Sequence, residues 1–433
     1  MVPLVLFGWV PLSIYLFSTR PAHRAVLYTV IGGVLFLPMT GYHLPGLPDY
    51  TKETAIALGL ILGGRLSGKR QQHRFQWSKF DIPMAIWCIC PLFSSVSNGL
   101  GIYDGLSASL GHIITWGIPF LAGRIYFKDE STIKDLHRGI IIGGLIYMVL
   151  CLYEIRMSPQ LNNMLYGFFP HSWIQHVRYG GYRPIVFMQH GLMVSLWMAA
   201  STTLLYWAWR SRIISQIRGI PAGLLVAAMI ITTVLCKSIN GFFFLAIGIV
   251  SYHLIVKYRM KSFMLLLVLL TPLYIGLRMT NQVASDTIIA NLEGHLHPDR
   301  IESLGVRLHQ ENMFIEKTLE RPWLGWAGWG RGWPIDPKRG TQIGMIDSMW
   351  LIAFNGKGLI GVSSLWFAII LAPLLSLRLV KGDYQDEECR QNVLSLSMII
   401  IFFSYDCLMN GMVNSVYIII IGSLQNKIYQ TNK

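Results

Sequence analysis

Apolar runs follow one another along almost the whole chain: Val2 to Phe17, then 25–44, 53–64, 81–97, 109–127, 138–154, 185–207, 221–236, 241–255, 262–277, 346–377, 392–410 and 412–425. In hydrocarbon a backbone has to satisfy its own N–H and C=O groups, and apolar runs of this length do so as helices that cross the bilayer. One run, 53–64, is short, and 346–377 is long and interrupted by glycines. About thirteen spans are expected, within one or two. Charged residues are only 13% and hydrophobic ones 53%, with mean hydropathy +0.47, whereas a soluble domain is about 25% charged. The expected fold is therefore all-α: a polytopic integral membrane protein of about 12–14 transmembrane helices with one large extracytoplasmic loop containing helical segments.

Charge orients the spans. Connectors carrying Arg20/Arg24, Arg65/Lys69/Arg70/Arg74/Lys79, Arg124/Lys128/Lys134/Arg138, Arg210/Arg212/Arg218, Lys257/Arg259/Lys261 and Arg378/Lys381/Arg390 fall on one side of this span order, as the positive-inside rule asks of cytoplasmic loops. The connectors 41–52, 98–107 and 154–183 then lie outside, and the tail 426–433 inside. This topology accounts for most of the net charge of +14, so no nucleic-acid partner is implied. Val2 to Phe17 lacks a basic n-region and reads as the first span rather than a cleaved signal peptide. The six cysteines avoid the longest polar segment, so a disulfide framework is not expected.

That segment, Arg278 to Met345, is where about 65–70 residues leave the apolar pattern in one piece. The chain thus divides into an N-terminal bundle (1–277, about ten spans), the extracytoplasmic loop (278–345), and C-terminal helices with a cytoplasmic tail (346–433).

Candidate chemistry clusters at the outer side. Arg183, in RYGGYRPIVFMQHG, opens a span, with His190 about two turns further in. Arg183 reads either as an interfacial anchor or as a functional cation; the neighbouring Gln189 and His190 favour a polar cavity. His190 itself reads as an interhelical hydrogen-bonding group or as a base. Lys237, in CKSINGF, marks a tight turn between two spans and adds a cation to the outer pool. In DRIESLGVRLHQENMFIEKTLE a helical stripe runs through Ile301, Leu304, Leu308, Ile315 and Leu319, with a step skipped near Glu311. Arg300 and Arg307 share a face of that helix with Ser303 between them. They read as surface salt bridges with Glu302 or Glu311, or as guanidinium forks for a diphosphate, each contact contributing about 1.5–3 kcal/mol.

The turn PWLGWAGWGRGWP carries Trp323, Trp326, Trp329 and Trp333. These read as an interfacial belt or as platforms for sugar rings. Asp347 opens the next span, which is broken at Asn355, Gly356, Gly358 and Gly361; it reads as a helix cap shared with Ser348, or as a general base. Asp406, with Asn410 and Asn414, is a second acid within a span, where an ionisable group costs roughly 2.5–3.5 kcal/mol unless paired. No outer residues carry metal-ligand spacing, and no cofactor is expected.

In this order, YRPIVFMQHG, then Arg307 ahead of PWLGWAGWG, then DSMWLIAFNGKGLIG, the chain resembles the O-antigen ligase and O-antigen polymerase superfamily of bacterial surface-glycan assembly. The resemblance implies a metal-independent, inverting membrane glycosyltransferase. Its donor is a glycan on undecaprenyl diphosphate, held through the diphosphate by Arg183, Arg300, Arg307 and Lys237. Its acceptor is a glycan or lipid-linked sugar, with Trp326 as a stacking platform. Asp347 is the base, or His190 in its place.

Further implied partners are polysaccharide assembly or export proteins, and the implied location is the bacterial cytoplasmic (inner) membrane, with the large loop on the periplasmic or extracellular side. The chain departs from the pattern twice. Asp347-Ser348 stands where the ligases carry His-Asn, and Ser238-Ile239-Asn240-Gly241 stands where they carry a Ser-Arg-Gly turn. Both point to a divergent branch, closer to an exopolysaccharide polymerase than to a lipid A ligase. The alternative class is a lipid-linked glycan flippase or secondary transporter, for which internally repeated halves are the discriminating feature. A structural scaffold for polysaccharide export explains the outer arginines least well.

Overall fold

The computed structural model describes the chain apart from residues 67–74, 179, 281, 283–284, 293–297, 337, 382–385 and 431–433. It is 73% helical, and its strands are three two-residue hairpins at loop tips. The helices are α1 (Val2–Thr19), α2 (Ala22–Phe36), α3 (Lys52–Leu66), α4 (Ile82–Ser97), α5 (Gly101–His112), α6 (Ile118–Tyr126), α7 (Glu130–Met157), α8 (Leu161–Tyr166) and α9 (Gly191–Arg210). They continue with α10 (Ala222–Leu235), α11 (Ile239–Ser251), α12 (Lys261–Met279), α13 (Ser285–Leu292), α14 (Pro298–Leu319), α15 (Met349–Ser376), α16 (Arg378–Lys381), α17 (Glu387–Asp406) and α18 (Ser415–Gln430). Among the described residues, eight helical stretches are long and apolar enough to cross a membrane, and Ala22–Phe36, Ala222–Leu235 and Ser415–Asn426 are shorter apolar helices.

Two boundaries differ from the sequence reading. The helix expected at 109–127 starts at Gly101 and runs through a π-turn at Ile113–Gly117 to Tyr126, so most of the expected connector 98–107 is helical. The span expected from 185 starts at Gly191; residues 183–190 are irregular, and His190 is therefore the N-cap of α9 rather than a residue two turns inside it.

Helix α9 forms the centre of the bundle, with 94% of its apolar window buried. A helix that is apolar all round can lose its whole surface to neighbours. Small residues allow the close approach: at Gly241 of α11 a Cβ would lie 2.9 Å from the Ser195 Cβ of α9, and at Gly248 it would run into Thr203. This is the packing expected where no water drives helices together and dispersion does.

Ion pairs join the basic connectors to one another. Arg24 and His23 meet Asp135 at 2.9 and 3.0 Å, Arg124 meets Asp81 at 2.8 Å, and Lys134 meets Glu388 at 2.6 Å. Lys69, Arg70 and Arg74 lie outside the described residues. The other set of connectors is likewise linked: Arg321 donates to Asn98 Oδ1 at 2.7 Å, and Arg183 to the Lys237 carbonyl at 3.0 Å.

The polar segment does not stand clear of the bundle. Helix α15 is interrupted at Gly358 (φ 62°, ψ −159°), a left-handed conformation that glycine adopts without a Cβ penalty. The break frees backbone groups on both half-helices, and the Trp/Gly-rich turn takes them up. Trp326 and Ala327 N–H donate to the Asn355 and Gly356 carbonyls at 2.8 and 3.0 Å. Leu359 and Ile360 N–H donate to the Pro322 and Trp323 carbonyls at 2.7 and 3.2 Å. From α4, Ser94 Oγ donates to the Leu324 carbonyl at 2.5 Å and Asn98 to the Gly325 carbonyl at 2.9 Å. Irregular backbone inside an apolar bundle persists only where its polar groups are met in this way.

Candidate functional site

Helix α14 lies across the end of α12, and a buried cation decides where. Arg278, at the end of α12, is 2% exposed. Its Nε donates to Glu311 at 2.9 Å and its Nη2 to the Leu308 carbonyl and Asn312 Oδ1 at 3.1 and 2.9 Å. Tyr274 Oη donates to the same Glu311 oxygen at 2.9 Å. The step skipped in the hydrophobic stripe is thus filled by Glu311 itself, which faces inward with Leu308, Phe314, Ile315 and Thr318, whereas Leu319 is exposed. Burial raises the Glu311 carboxyl above its usual range, against the opposing pull of Tyr274 and Arg278. Glu311 is the partner of Arg278, not of Arg307.

Arg307, one turn before Glu311, is exposed, as is Asp347. Both line one cavity of about 330 Å³ between α12, α14, the start of α15 and the end of α17. Its polar rim holds Arg307, Gln310 and Asp347, and its wall includes Leu270, Leu351 and Leu408; Leu270 is exposed on the outside of the bundle. Asp347 does not cap α15. The N-cap is Ser348, whose hydroxyl makes no cap bond, and the first helical N–H groups, Met349 and Trp350, donate to the Asn410 and Cys407 carbonyls at 3.3 and 3.4 Å. Neither Arg307 nor Asp347 has a hydrogen-bond or ion partner among the described residues. Arg300 falls in the first turn of α14, and its side chain and that of Ser303 lie outside the described residues.

Arg183, Lys237 and His190 form a second group. Arg183 is 6% exposed; beyond its bond to the Lys237 carbonyl, its Nε is buried without a partner among the described residues. Burial and the nearby Arg178 push its pKa down to about 10. Lys237 (φ 50°) donates from Nζ to the Arg178 carbonyl at 3.1 Å, and Ser238 caps α11 through the Gly241 N–H at 3.4 Å. Two histidines that no sequence pattern singles out, His171 and His176, pack against His190 at ring distances of 4.8 and 5.7 Å.

The Nδ1 atoms of His171 and His190 accept the Ser172 and Leu192 N–H at 2.8 and 3.1 Å. That assigns the remaining proton to Nε2, which in His190 faces Gln175 Oε1 at 3.4 Å. Two rings presenting N–H, beside arginines, offer donors rather than metal-ligating lone pairs. Burial and neighbouring positive charge push His190 down to about 3 and His176 to about 4. The Nδ1 lone pair of His190 is thus used in capping α9. No hydrogen bond or ion pair among the described residues joins this group to Arg307 and Asp347.

Glu154 anchors that loop, a role its place at the end of an apolar run did not disclose. Its carboxylate, 1% exposed, accepts Leu161, Ile185 and Val186 N–H at 3.0, 2.8 and 2.7 Å, holding Val186 at φ 55°. Trp326 is placed differently from an open stacking face. Its indole donates to the Lys317 carbonyl at 2.8 Å, and its ring is flanked by Lys317 and Arg321 at 4.3 and 4.7 Å. Trp323 and Trp329 are the exposed indoles of the turn, at 67% and 70%. The group of carboxylate and thiol atoms close enough to share a metal, Glu130, Asp386 and Cys389, belongs to the basic-connector side, where Asp386 caps α17 through the Cys389 N–H.

Fold and site together define a mostly helical protein in which eight helical stretches among the described residues are long and apolar enough to cross a membrane, with an amphipathic cavity where a broken helix begins. Compared with known proteins, the chain matches no family model and no curated sequence.

Proposed function

We propose that the chain is a glycosyltransferase of the bacterial cytoplasmic membrane, acting outside it on glycans carried by undecaprenyl diphosphate, as a polymerase or a ligase. The observation that carries the reading is the shared cavity of Arg307 and Asp347. A guanidinium and a carboxylate, each without a partner among the described residues, stand on the rim of a pocket whose wall is apolar and reaches the outer surface of the bundle at Leu270. A diphosphate with a prenyl chain has that polarity: the guanidinium meets phosphate oxygens in bidentate geometry, and the apolar wall accepts the start of the chain.

In the reaction the acceptor hydroxyl oxygen forms a bond to the anomeric carbon and its proton passes to the Asp347 carboxylate. The bond from that carbon to the diphosphate oxygen breaks with its electron pair leaving on the diphosphate, whose charge Arg307 offsets. Arg183 and Lys237, in their separate group, serve as a second anion site or as supports of the loop that ends at His190.

The test uses purified protein with an undecaprenyl-diphosphate-linked oligosaccharide, following lipid and glycan separately. A longer glycan with released lipid diphosphate marks a polymerase, and transfer to a distinct acceptor marks a ligase. Arg307→Ala and Asp347→Asn should each lower turnover at least about a hundredfold, the ordinary size of a charge-stabilising or general-base contribution. Glycan that stays on its lipid and changes leaflet in liposomes would replace this reading with a transporter.

A further inference from the structure

A second cavity, of about 220 Å³, lies on the other flank of the start of α15. Ile346, Ile352 and Asn355 line it, whereas Asp347, Ser348 and Leu351 line the first cavity. Its mouth is the Trp/Gly-rich turn, with Trp329 exposed and Trp333 half-buried at 68° to it. Its floor is formed by His112 and Lys357. Lys357 sits beside the helix break, and its Nζ stands 5.2 Å from the centroid of the Trp87 ring.

No carboxylate among the described residues pairs with Lys357, and none lines this cavity. An ammonium at membrane depth ordinarily has a partner or a ligand. His112 Nδ1 faces the Trp87 carbonyl at 3.2 Å and so carries the ring proton, which leaves Nε2 as an acceptor. Asn355 is already committed, its amide donating to Thr318 Oγ1 and the Gly332 carbonyl at 3.0 and 2.9 Å.

We propose that this cavity is the acceptor-sugar site and that it takes an acidic sugar, whose carboxylate binds Lys357 while its ring packs on Trp329. The proposal rests on the glycosyltransferase reading and adds a substrate class to it. A pyranose offers hydroxyl donors for His112 Nε2 and an apolar face for the indole. An ammonium that meets only the Trp87 ring and no carboxylate among the described residues is the feature a neutral sugar leaves without a counter-charge. With donor and acceptor cavities on the two flanks of residues 345–352, Asp347 stands at the junction where an acceptor hydroxyl loses its proton.

The test is binding to full-length protein in nanodiscs, read by tryptophan fluorescence, using an oligoglucuronate and the same oligosaccharide with its carboxyls reduced to alcohols. The acidic form should bind at least about tenfold more tightly, the size of one charge-assisted contact. Lys357→Met should abolish that preference, Lys357→Arg should keep most of it, and Trp329→Ala should weaken both. Equal binding of the two forms by the unaltered protein overturns the proposal without relying on any variant to fold. An unchanged preference in Lys357→Met overturns it as well. Lipid diphosphate release without acidic preference sinks this site and leaves the proposed reaction standing; acidic preference without any transfer does the reverse.

Discussion

Gly325→Ala should be far more damaging than its size suggests. The residue has φ +66°, and an added Cβ would lie 2.5 Å from the Asn355 carbonyl oxygen, 2.6 Å from the Lys357 nitrogen and 2.7 Å from the Gly358 nitrogen. All three are backbone atoms of the helix break and cannot swing aside, so the turn must retreat. Retreat breaks at least the Trp326 and Ala327 bonds to the break, orphaning buried groups at about 1–3 kcal/mol each. The left-handed backbone adds about 1–2 kcal/mol for any side chain.

Gly340→Ala is the control, because Gly340 has φ +65° but nothing within 4 Å of an added Cβ. It should lose only the backbone contribution. The excess for Gly325→Ala is therefore about 2–6 kcal/mol, a large share of a total stability of about 5–15 kcal/mol. The assay is the apparent melting midpoint of both variants in one detergent at one scan rate. If the two melted together, the turn would not be what satisfies the broken helix.

Three further outcomes follow from the buried polar groups. Glu154→Ala leaves three backbone N–H groups unmet and should destabilise by at least about 3 kcal/mol, with Glu154→Gln intermediate, read as loss of monodisperse protein on heating. Arg278→Met should cost about 3–5 kcal/mol by stranding Glu311, and adding Glu311→Leu should recover most of it; a double variant worse than the single would refute the pairing. His176 and His190 have folded pKa values of about 4 and about 3, below the free value of about 6.5. Each therefore takes up a proton on unfolding, and stability should fall as pH drops from about 6.5 toward those values, by at most about one proton per histidine. His176→Asn should flatten that slope in pH-dependent melting.

The charges of the basic connectors were legible in the sequence. Charge bias grouped the connectors, and the ion pairs of Arg24, Arg124 and Lys134 join members of the same group, because those charges repeat at every second connector and need no knowledge of packing. The break in α15 was legible for the same local reason: glycines clustered inside an apolar run weaken the helix there whatever packs around it. Lys357 was missed in the sequence, although a lysine inside a span is itself a marker of function.

The apolar runs alone determined that the chain is mostly helical, with several helices long and apolar enough to cross a membrane, because a backbone in hydrocarbon has few ways to satisfy itself and run length is a local property. Which arginine is structural and which is open was decided only by tertiary packing. Arg278 and Arg307 look alike in the sequence, yet one is stitched to Glu311 and the other faces a cavity. Likewise Trp326 is enclosed by cations while Trp329, three residues on, is open. Partners brought together from α12, α14, α15 and α17 settle those differences, and no local pattern encodes them.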